Sequence, residues 1–386
     1  MRIALFTDTF PPQINGVANH VATLAEQLVK RGHAVCVVTV SADKAWGGVM
    51  QSSSGFEIIA VPSFWMPGTA DLRTAMLSPM LLSELRLFLP DIIHVHAPMA
   101  LGWAGVWCAR RLKIPIVGTH HTFFDVYFKE AGLPQVQGLS WKYVHTFYNK
   151  CAQVIAPSVA MKDAFDTHHS RAPVVHIENG IDLTRFTPSE SADTKEALRQ
   201  RWGATGKTMV YLGRLSVEKR VHVVVEACAQ IPDAHLVVAG DGPERAALEE
   251  LVQTLGISDR VLFTGFVSGS DVVDVLRAGD IFVSASQFEN MPLSVLEAMG
   301  CGLPVVAVRS LGMIDIVEDG VSGLLIDDAS AEGMATALKK LMRDEALCAR
   351  MARAAYKRSA QYSQERMAER IEQLYARVIA EKVPTK

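Results

Sequence analysis

Short runs of β-branched residues return twelve times along the chain, and the stretches between them carry helical spacing. That alternation leaves few folds open. In the first half the runs are Ile3 to Phe6, Val35 to Val40, Ile92 to Val95, Ile114 to Val117, Gln153 to Ala156 and Val174 to Ile177. The second half repeats the pattern at Met209 to Leu212, Leu236 to Ala239, Val261 to Phe263, Ile281 to Ser284, Val305 to Val308 and Leu324 to Ile326. Runs this apolar read as parallel strands covered on both faces. Between the first two, Val17, Val21, Leu24, Ala25 and Leu28 fall on one face of a helix that Gly32 stops. The expected class is α/β, with two doubly wound sheets.

With 386 residues there is room for two domains of roughly 150 residues each. Turn residues replace the apolar rhythm from Asn179 to Ser191, before a polar helix near Asp193. The expected boundaries are therefore 1–182, 183–362 and a terminal helical stretch, 363–386, that returns to the first domain. Charge divides at the same place. Residues 1–180 hold 14 Lys and Arg against 12 Asp and Glu, and the remainder holds 24 against 29. Ten of the twelve histidines lie in the first part. Open parallel sheets bind ligands at the carboxyl ends of their strands, so the chemistry is expected in a cleft between the domains.

A net charge of −3 gives no global basic field, which argues against nucleic acid as a partner. The six cysteines are far apart with no C-x-x-C, as expected of buried thiols in a reducing compartment. Asp8 follows the first strand at once, without the pattern of a secretory leader, and the apolar windows are far shorter than the ~20 residues of a membrane span. A cytoplasmic protein with at most peripheral membrane contact is the expectation.

Three segments carry chemistry. The first strand runs into Asp8-Thr9-Phe10-Pro11-Pro12-Gln13-Ile14-Asn15-Gly16-Val17 ahead of a helix. Gly16 suits either the approach of a phosphate to that helix or a plain turn. In Gly213-Arg214-Leu215-Ser216-Val217-Glu218-Lys219, two cations stand just beyond a strand, where Arg214 offers a fork and Lys219 a point charge to a diphosphate. The third segment, Glu289 to Gly302, opens with Glu289-Asn290-Met291-Pro292-Leu293 and continues into a helix with Pro292 in its first turn. Amides at that helix start suit a phosphate. Glu297, further in, suits the paired hydroxyls of a ribose, and Glu289 the hydroxyls of a sugar beyond the phosphates.

Together these residues resemble glycosyltransferase family 4. The resemblance rests on the Glu-x7-Glu pair Glu289 and Glu297, the Arg214 to Lys219 run and Pro12 to Val17. It extends through Asn179-Gly180-Ile181-Asp182, Gly240-Asp241-Gly242-Pro243 and Gly265-Phe266-Val267, in the family's order. It implies the GT-B fold, an acceptor-binding first domain and a nucleotide-sugar donor on the second. Transfer with retention is also implied, without a metal or other cofactor, because Arg214 and Lys219 take the cation's place. In Gly118-Thr119-His120-His121-Thr122 the family's first-domain histidine corresponds to His121, expected to donate to or orient the transferred sugar. After Glu289 the usual aromatic residue and glycine are replaced by Met291-Pro292, so contacts to the sugar are not transferable there.

The sequence thus assigns His121, Glu289, Arg214 and Lys219 to catalysis. Gly16, Gly265, Phe266, Val267, Asn290, Met291, Pro292, Leu293 and Glu297 join Arg214, Lys219 and Glu289 in donor binding. Four histidines, His94, His96, His120 and His121, lack the carboxylate or cysteine spacing of a metal cluster. The stretch Thr119 to Tyr127 is similar to that of members that glycosylate diacylglycerol, which makes Asp125 and Tyr127 candidate acceptor residues. Trp103, Trp107, Arg110, Arg111 and Lys113, with Trp141, Lys142, Tyr143, Phe147 and Lys150, suit either an anionic bilayer or an ordinary core with solvated cations. The leading expectation is transfer of glucose from UDP-glucose to a glycerolipid. Mannosyl transfer from GDP-mannose, a nucleotide-sugar epimerase and a non-catalytic sensor are the alternatives.

Overall fold

A computed structural model describes residues 1–13, 15–41, 47–65, 73–76, 78–123 and 137–382. It divides into two compact units, residues 1–180 with 364–386, and residues 181–363.

The first unit is built on eight strands. Their order is Val174–His176, Gln153–Ala156, Ile116–Thr119, Ile92–Val95, Arg2–Phe6, Ala34–Val40, Glu57–Val61 and Gly48–Gln51. All neighbours are parallel except the last pair. Successive side chains leave opposite faces, so Ala4 and Phe6 join one core, with Phe147 and Tyr148, while Ile3 and Leu5 join the other. The second face is closed by the C-terminal helix Gln364–Lys382, which contributes Met367, Ala368, Ile371, Leu374, Tyr375 and Val378 at helical spacing.

The second unit is a six-stranded parallel sheet. The order is Val261–Gly265, Ala234–Ala239, Lys207–Leu212, Ile281–Ser284, Val305–Val308 and Gly323–Ile326. Numbered along the chain this is 3-2-1-4-5-6, the order of dinucleotide-binding sheets. The direction of winding reverses between Lys207–Leu212 and Ile281–Ser284. In the first unit it reverses between Arg2–Phe6 and Ile92–Val95. Loops leaving these strands open the two crevices in which such sheets bind ligands.

Three expectations need correction. The strand sought at Ile114 to Val117 begins at Ile116, because Pro115 has no N–H to give a ladder and serves only as acceptor, from Ile93 N. Glu57–Val61 and the antiparallel strands Gly48–Gln51, Ser63–Trp65 and Arg73–Ala75 were not anticipated. Trp141 and Phe147 are buried in the first unit's core, so neither belongs to a bilayer-facing surface, while Trp107 and Tyr143 are exposed. The six cysteines are free thiols, five of them buried. Among the described residues no helix is long and apolar enough to cross a membrane.

Candidate active site

In the second unit, the loop after Lys207–Leu212 is held by its backbone. Tyr211 Oη donates to the Arg214 carbonyl at 2.9 Å, Leu215 N to Asp241 O at 3.0 Å and Glu244 N to Leu215 O at 3.0 Å. The Gly-Asp-Gly-Pro run exists for this approach. A Cβ on Gly240 would stand 1.9 Å from the Gly213 carbonyl oxygen, and one on Gly242 2.3 Å from that of Leu215. Arg214 is exposed at the resulting turn, and Lys219 closes the short 3-10 turn Val217–Lys219.

The loop after Ile281–Ser284 meets this one. Lys219 Nζ lies 2.6 Å from Glu289 Oε1, both groups partly shielded from water. Behind Glu289 the chain is backed by Gly312, whose N–H donates to Glu289 O at 2.7 Å. Sequence reasoning missed Gly312. The available signal was a glycine shortly after the strand Val305–Val308.

The helix that follows spans Leu293–Gly300. Pro292 is its N-cap, with extended ψ 114, rather than a residue of the first turn. No side chain caps the first-turn amides and no acidic residue stands among them, which suits an anion. Met291 is buried, and Asn290 and Leu293 are half-buried. Burial pushes the Glu297 carboxyl up to about 7, with Arg185 acting in the opposite direction. At the end of Val261–Gly265, Gly265 takes φ +69 and its carbonyl accepts from Gly240 N at 2.9 Å. Val267 turns into the core while Phe266 stands 54% exposed, a ring suited to stacking on a base.

In the first unit Gly16 begins the helix Gly16–Lys30, capped by Asn15, whose Oδ1 accepts from Ala18 N at 2.9 Å. A Cβ on Gly16 would meet nothing within 4 Å, so packing does not demand glycine there. Asp8 reaches another helix, Ala100–Leu112, where its Oδ1 accepts from Leu101 N at 3.1 Å in place of a cap from Met99. His94 is pinned at both nitrogens, Nδ1 to Tyr375 Oη at 2.6 Å and Nε2 to Thr119 Oγ1 at 2.7 Å. His120 turns into the aromatic core, with Nδ1 3.1 Å from Tyr148 Oη. His121 turns the other way, and its Nε2 is 3.2 Å from His96 Nδ1.

His20, on the first helix, joins that pair, so the histidines group otherwise than expected. The ring nitrogens of His20, His96 and His121 lie within 4.8 Å of one another, a spacing that metal sites use. Within this group His96 Nδ1 is already engaged with His121 Nε2, and we assign no metal ligands here. Burial, reinforced by neighbouring imidazoles, holds His96 and His121 well below the usual histidine range, and burial brings His20 to about 4. These rings are neutral at neutral pH. Asp125 and Tyr127 lie outside the described residues.

Residues 14–185 match the model of Glycosyltransferase Family 4, and residues 194–358 that of Glycosyl transferases group 1. A GDP-mannose-dependent alpha-mannosyltransferase of Corynebacterium glutamicum is 31% identical, over 98% of this chain and 90% of that protein. The alpha-monoglucosyldiacylglycerol synthase of Streptococcus pneumoniae is 34% identical, over 84% and 75%. This chain is a family 4 glycosyltransferase. Among solved structures, sucrose-phosphate synthase of Thermosynechococcus elongatus superposes with TM-score 0.81 at 23% identity, covering 98% and 99% of the two chains. Anabaena HepE in complex with UDP-glucose gives 0.78 at 21%, over 97% and 99%. The fold is GT-B.

For this family 4 hexosyltransferase, the second unit carries Arg214, Lys219 and Glu289 in the loops that leave the two strands flanking its switch point. Its first unit carries a titratable group that the sequence did not single out. Burial pushes the Asp8 carboxyl up to about 6 from an ordinary 3.8. The folded chain thus holds a proton there that the unfolded chain has released, so this contribution to stability is complete below about pH 4 and lost as pH rises through 6. Asp8→Asn is neutral throughout and keeps an acceptor for Leu101 N. It is expected to stabilise the protein by about 2–3 kcal/mol at pH 7.5 and far less at pH 4, read from urea midpoints. Equal shifts at both values would reject the assignment.

Proposed function

We propose that this glycosyltransferase moves a hexose, glucose from UDP-glucose, onto a membrane glycerolipid such as diacylglycerol, with retention at the anomeric carbon and without a metal cofactor. The observation that carries the transfer chemistry is the meeting of Lys219 and Glu289, 2.6 Å apart, beside a helix start whose first-turn amides no side chain caps. A cation and those amides suit a departing diphosphate, whose charge grows as the glycosidic bond breaks. Arg214 adds a second cation. A phosphate oxygen then takes the acceptor's proton, and Glu289 positions the sugar. The 34% identity to a glucosyldiacylglycerol synthase supports the lipid acceptor. Exposed Trp107 and Tyr143, with exposed Arg110, Arg111, Lys142 and Lys150, support contact with the cytoplasmic face of an anionic bilayer.

A second reading, mannosyl transfer from GDP-mannose, is favoured by three GDP-mannose-dependent relatives at 30–31% identity. Mass spectrometry of products separates the two. The protein is incubated with mixed diacylglycerol and phosphatidylinositol micelles and, separately, with UDP-glucose, UDP-galactose, UDP-N-acetylglucosamine or GDP-mannose. A monohexosyl-diacylglycerol made from UDP-glucose alone is the expected result. Mannosylated phosphoinositide would establish the second reading, and free nucleotide with no lipid product would point to a soluble acceptor.

Glu297 gives the donor site a pH dependence. Its carboxylate accepts from ribose hydroxyls, and near pH 7 it takes up a proton and loses that capacity. The donor KM is expected to rise up to about tenfold from pH 8 to pH 6, and in Glu297→Gln this dependence disappears. A slope that survives the substitution would remove Glu297 from the site.

A further inference from the structure

A cavity of about 650 Å³ opens within the first unit, where the strands Ile116–Thr119 and Gln153–Ala156 begin. His96 and His121 stand beyond the other ends of the strands, so the cavity is no part of the crevice described above. Val106, Ala109, Ile116 and Cys151 line it, and the C-terminal helix Gln364–Lys382 adds Val378. All five are core residues. The volume is that of a small-ligand pocket, for which roughly 300–1,000 Å³ is usual.

Three cations share this apolar lining. Arg110 stands in the last turn of the helix Ala100–Leu112, Lys113 takes φ +57 just past it, and Lys150 follows the helix Gln137–Tyr148. None of the three has an ion-pair partner among the described residues, although Glu381 is also at the cavity. Helix C-termini attract cations, and the two ends offset roughly half a charge each, so with Glu381 counted about one positive charge stays unmatched. Arg111 and Lys142 are exposed on the same helices but do not line the cavity, and the Arg111 guanidinium lies 5.5 Å from the centre of the Trp107 ring.

We infer that this cavity binds a phosphate ester with an apolar substituent, its phosphate on Arg110, Lys113 and Lys150 and its apolar part over Val106, Ala109 and Val378. An inorganic anion would leave the lining wet, and a neutral apolar molecule would leave the cations without a counter-ion. Cations from three chain segments exceed what two carboxylate oxygens can use, whereas a phosphate offers three oxygens to the Arg110 fork and the two ammonium groups. The site uses neither donor nor acceptor, so the inference stands apart from the proposed transfer reaction.

Calorimetric titration of the full chain with ethyl phosphate and with butyl phosphate tests the apolar part. Each methylene taken out of water is worth roughly fourfold in affinity, so butyl phosphate is expected to bind about tenfold more tightly. Equal dissociation constants would overturn the inference, and this comparison needs no variant. In Arg110→Gln/Lys150→Gln the dissociation constant for butyl phosphate is expected to rise at least about tenfold. Arg111→Gln/Lys142→Gln removes the same charge outside the cavity, and there it is expected to stay within about twofold. Equal rises in both pairs, or no rise in the first, would also overturn it. Co-sedimentation with phosphatidylglycerol vesicles identifies the source of the phosphate. Weaker sedimentation of the Arg110/Lys150 pair alone assigns the site to a bilayer lipid, and unchanged sedimentation alongside lost butyl phosphate binding assigns it to a soluble ester.

Discussion

Arg214→Ala and Lys219→Ala are expected to lower kcat with the nucleotide-sugar donor by about 10²–10³-fold each. Both cations sit beyond the carboxyl end of the strand Lys207–Leu212, where the reversal of winding opens the crevice. In the proposed reaction the charge that these cations meet is greater when the glycosidic bond is breaking than before, so the loss falls on turnover more than on ground-state binding. Lys219 also pairs with Glu289, and an alternative explanation is that Lys219→Ala merely frees that carboxylate. The double variant Lys219→Ala/Glu289→Gln distinguishes the two. If Lys219 acts only through Glu289, its removal costs nothing further in the Glu289→Gln background. A further loss of tenfold or more is expected, because in the proposed reaction the diphosphate needs the ammonium whatever stands at position 289. Wild-type kinetics in Arg214→Ala or Lys219→Ala would reject the diphosphate assignment.

Gly312→Ala is expected to lower kcat/KM by at least about 100-fold although residue 312 is not proposed to touch a substrate. A Cβ there would stand 1.6 Å from Asn290 O and 2.3 Å from its carbonyl carbon. Those are backbone atoms and no rotamer change relieves the contact, so the Glu289-Asn290 segment must move. Glu289 then leaves Lys219, and the start of the helix Leu293–Gly300 shifts with it. Circular dichroism is expected to show retained secondary structure, because the clash is confined to one loop. Wild-type kcat/KM would mean that the loop absorbs a methyl group without losing its function. Gly16→Ala is a useful contrast, since open space surrounds that position.

The main elements were legible in the chain because each carries its own period. Ile92–Val95, Gln153–Ala156, Ile281–Ser284 and Val305–Val308 fall where β-branched runs stand. The terminal helix shows its face as Met367, Ile371, Leu374, Tyr375 and Val378. Glu57–Val61 is as apolar as these, but its place next to Ala34–Val40 depends on pairing across a long separation that no local pattern announces. At the site, Arg214, Lys219 and Glu289 were recognisable because they stand just past apolar strands at the spacing of the motifs that carry the family resemblance. Gly312 and Asp8 were not, because what matters about each is the backbone it approaches.

Sequence alone determined the doubly wound class, the repeat of that class in two units and the charged residues at the strand ends, since these follow from hydrophobic period and chain order. Tertiary structure decided which of them meet. Lys219 and Glu289 are 70 residues apart and form a pair because strands one and four are neighbours in the second sheet. His96 and His121 meet because the strands Ile92–Val95 and Ile116–Thr119 are adjacent in the first sheet, and His20 enters from the helix Gly16–Lys30, which stands between two other strands of the chain. Burial then set the protonation of Asp8, Glu297 and these histidines. The energy of a charge depends on what surrounds it in space, and the order of residues does not contain that surrounding.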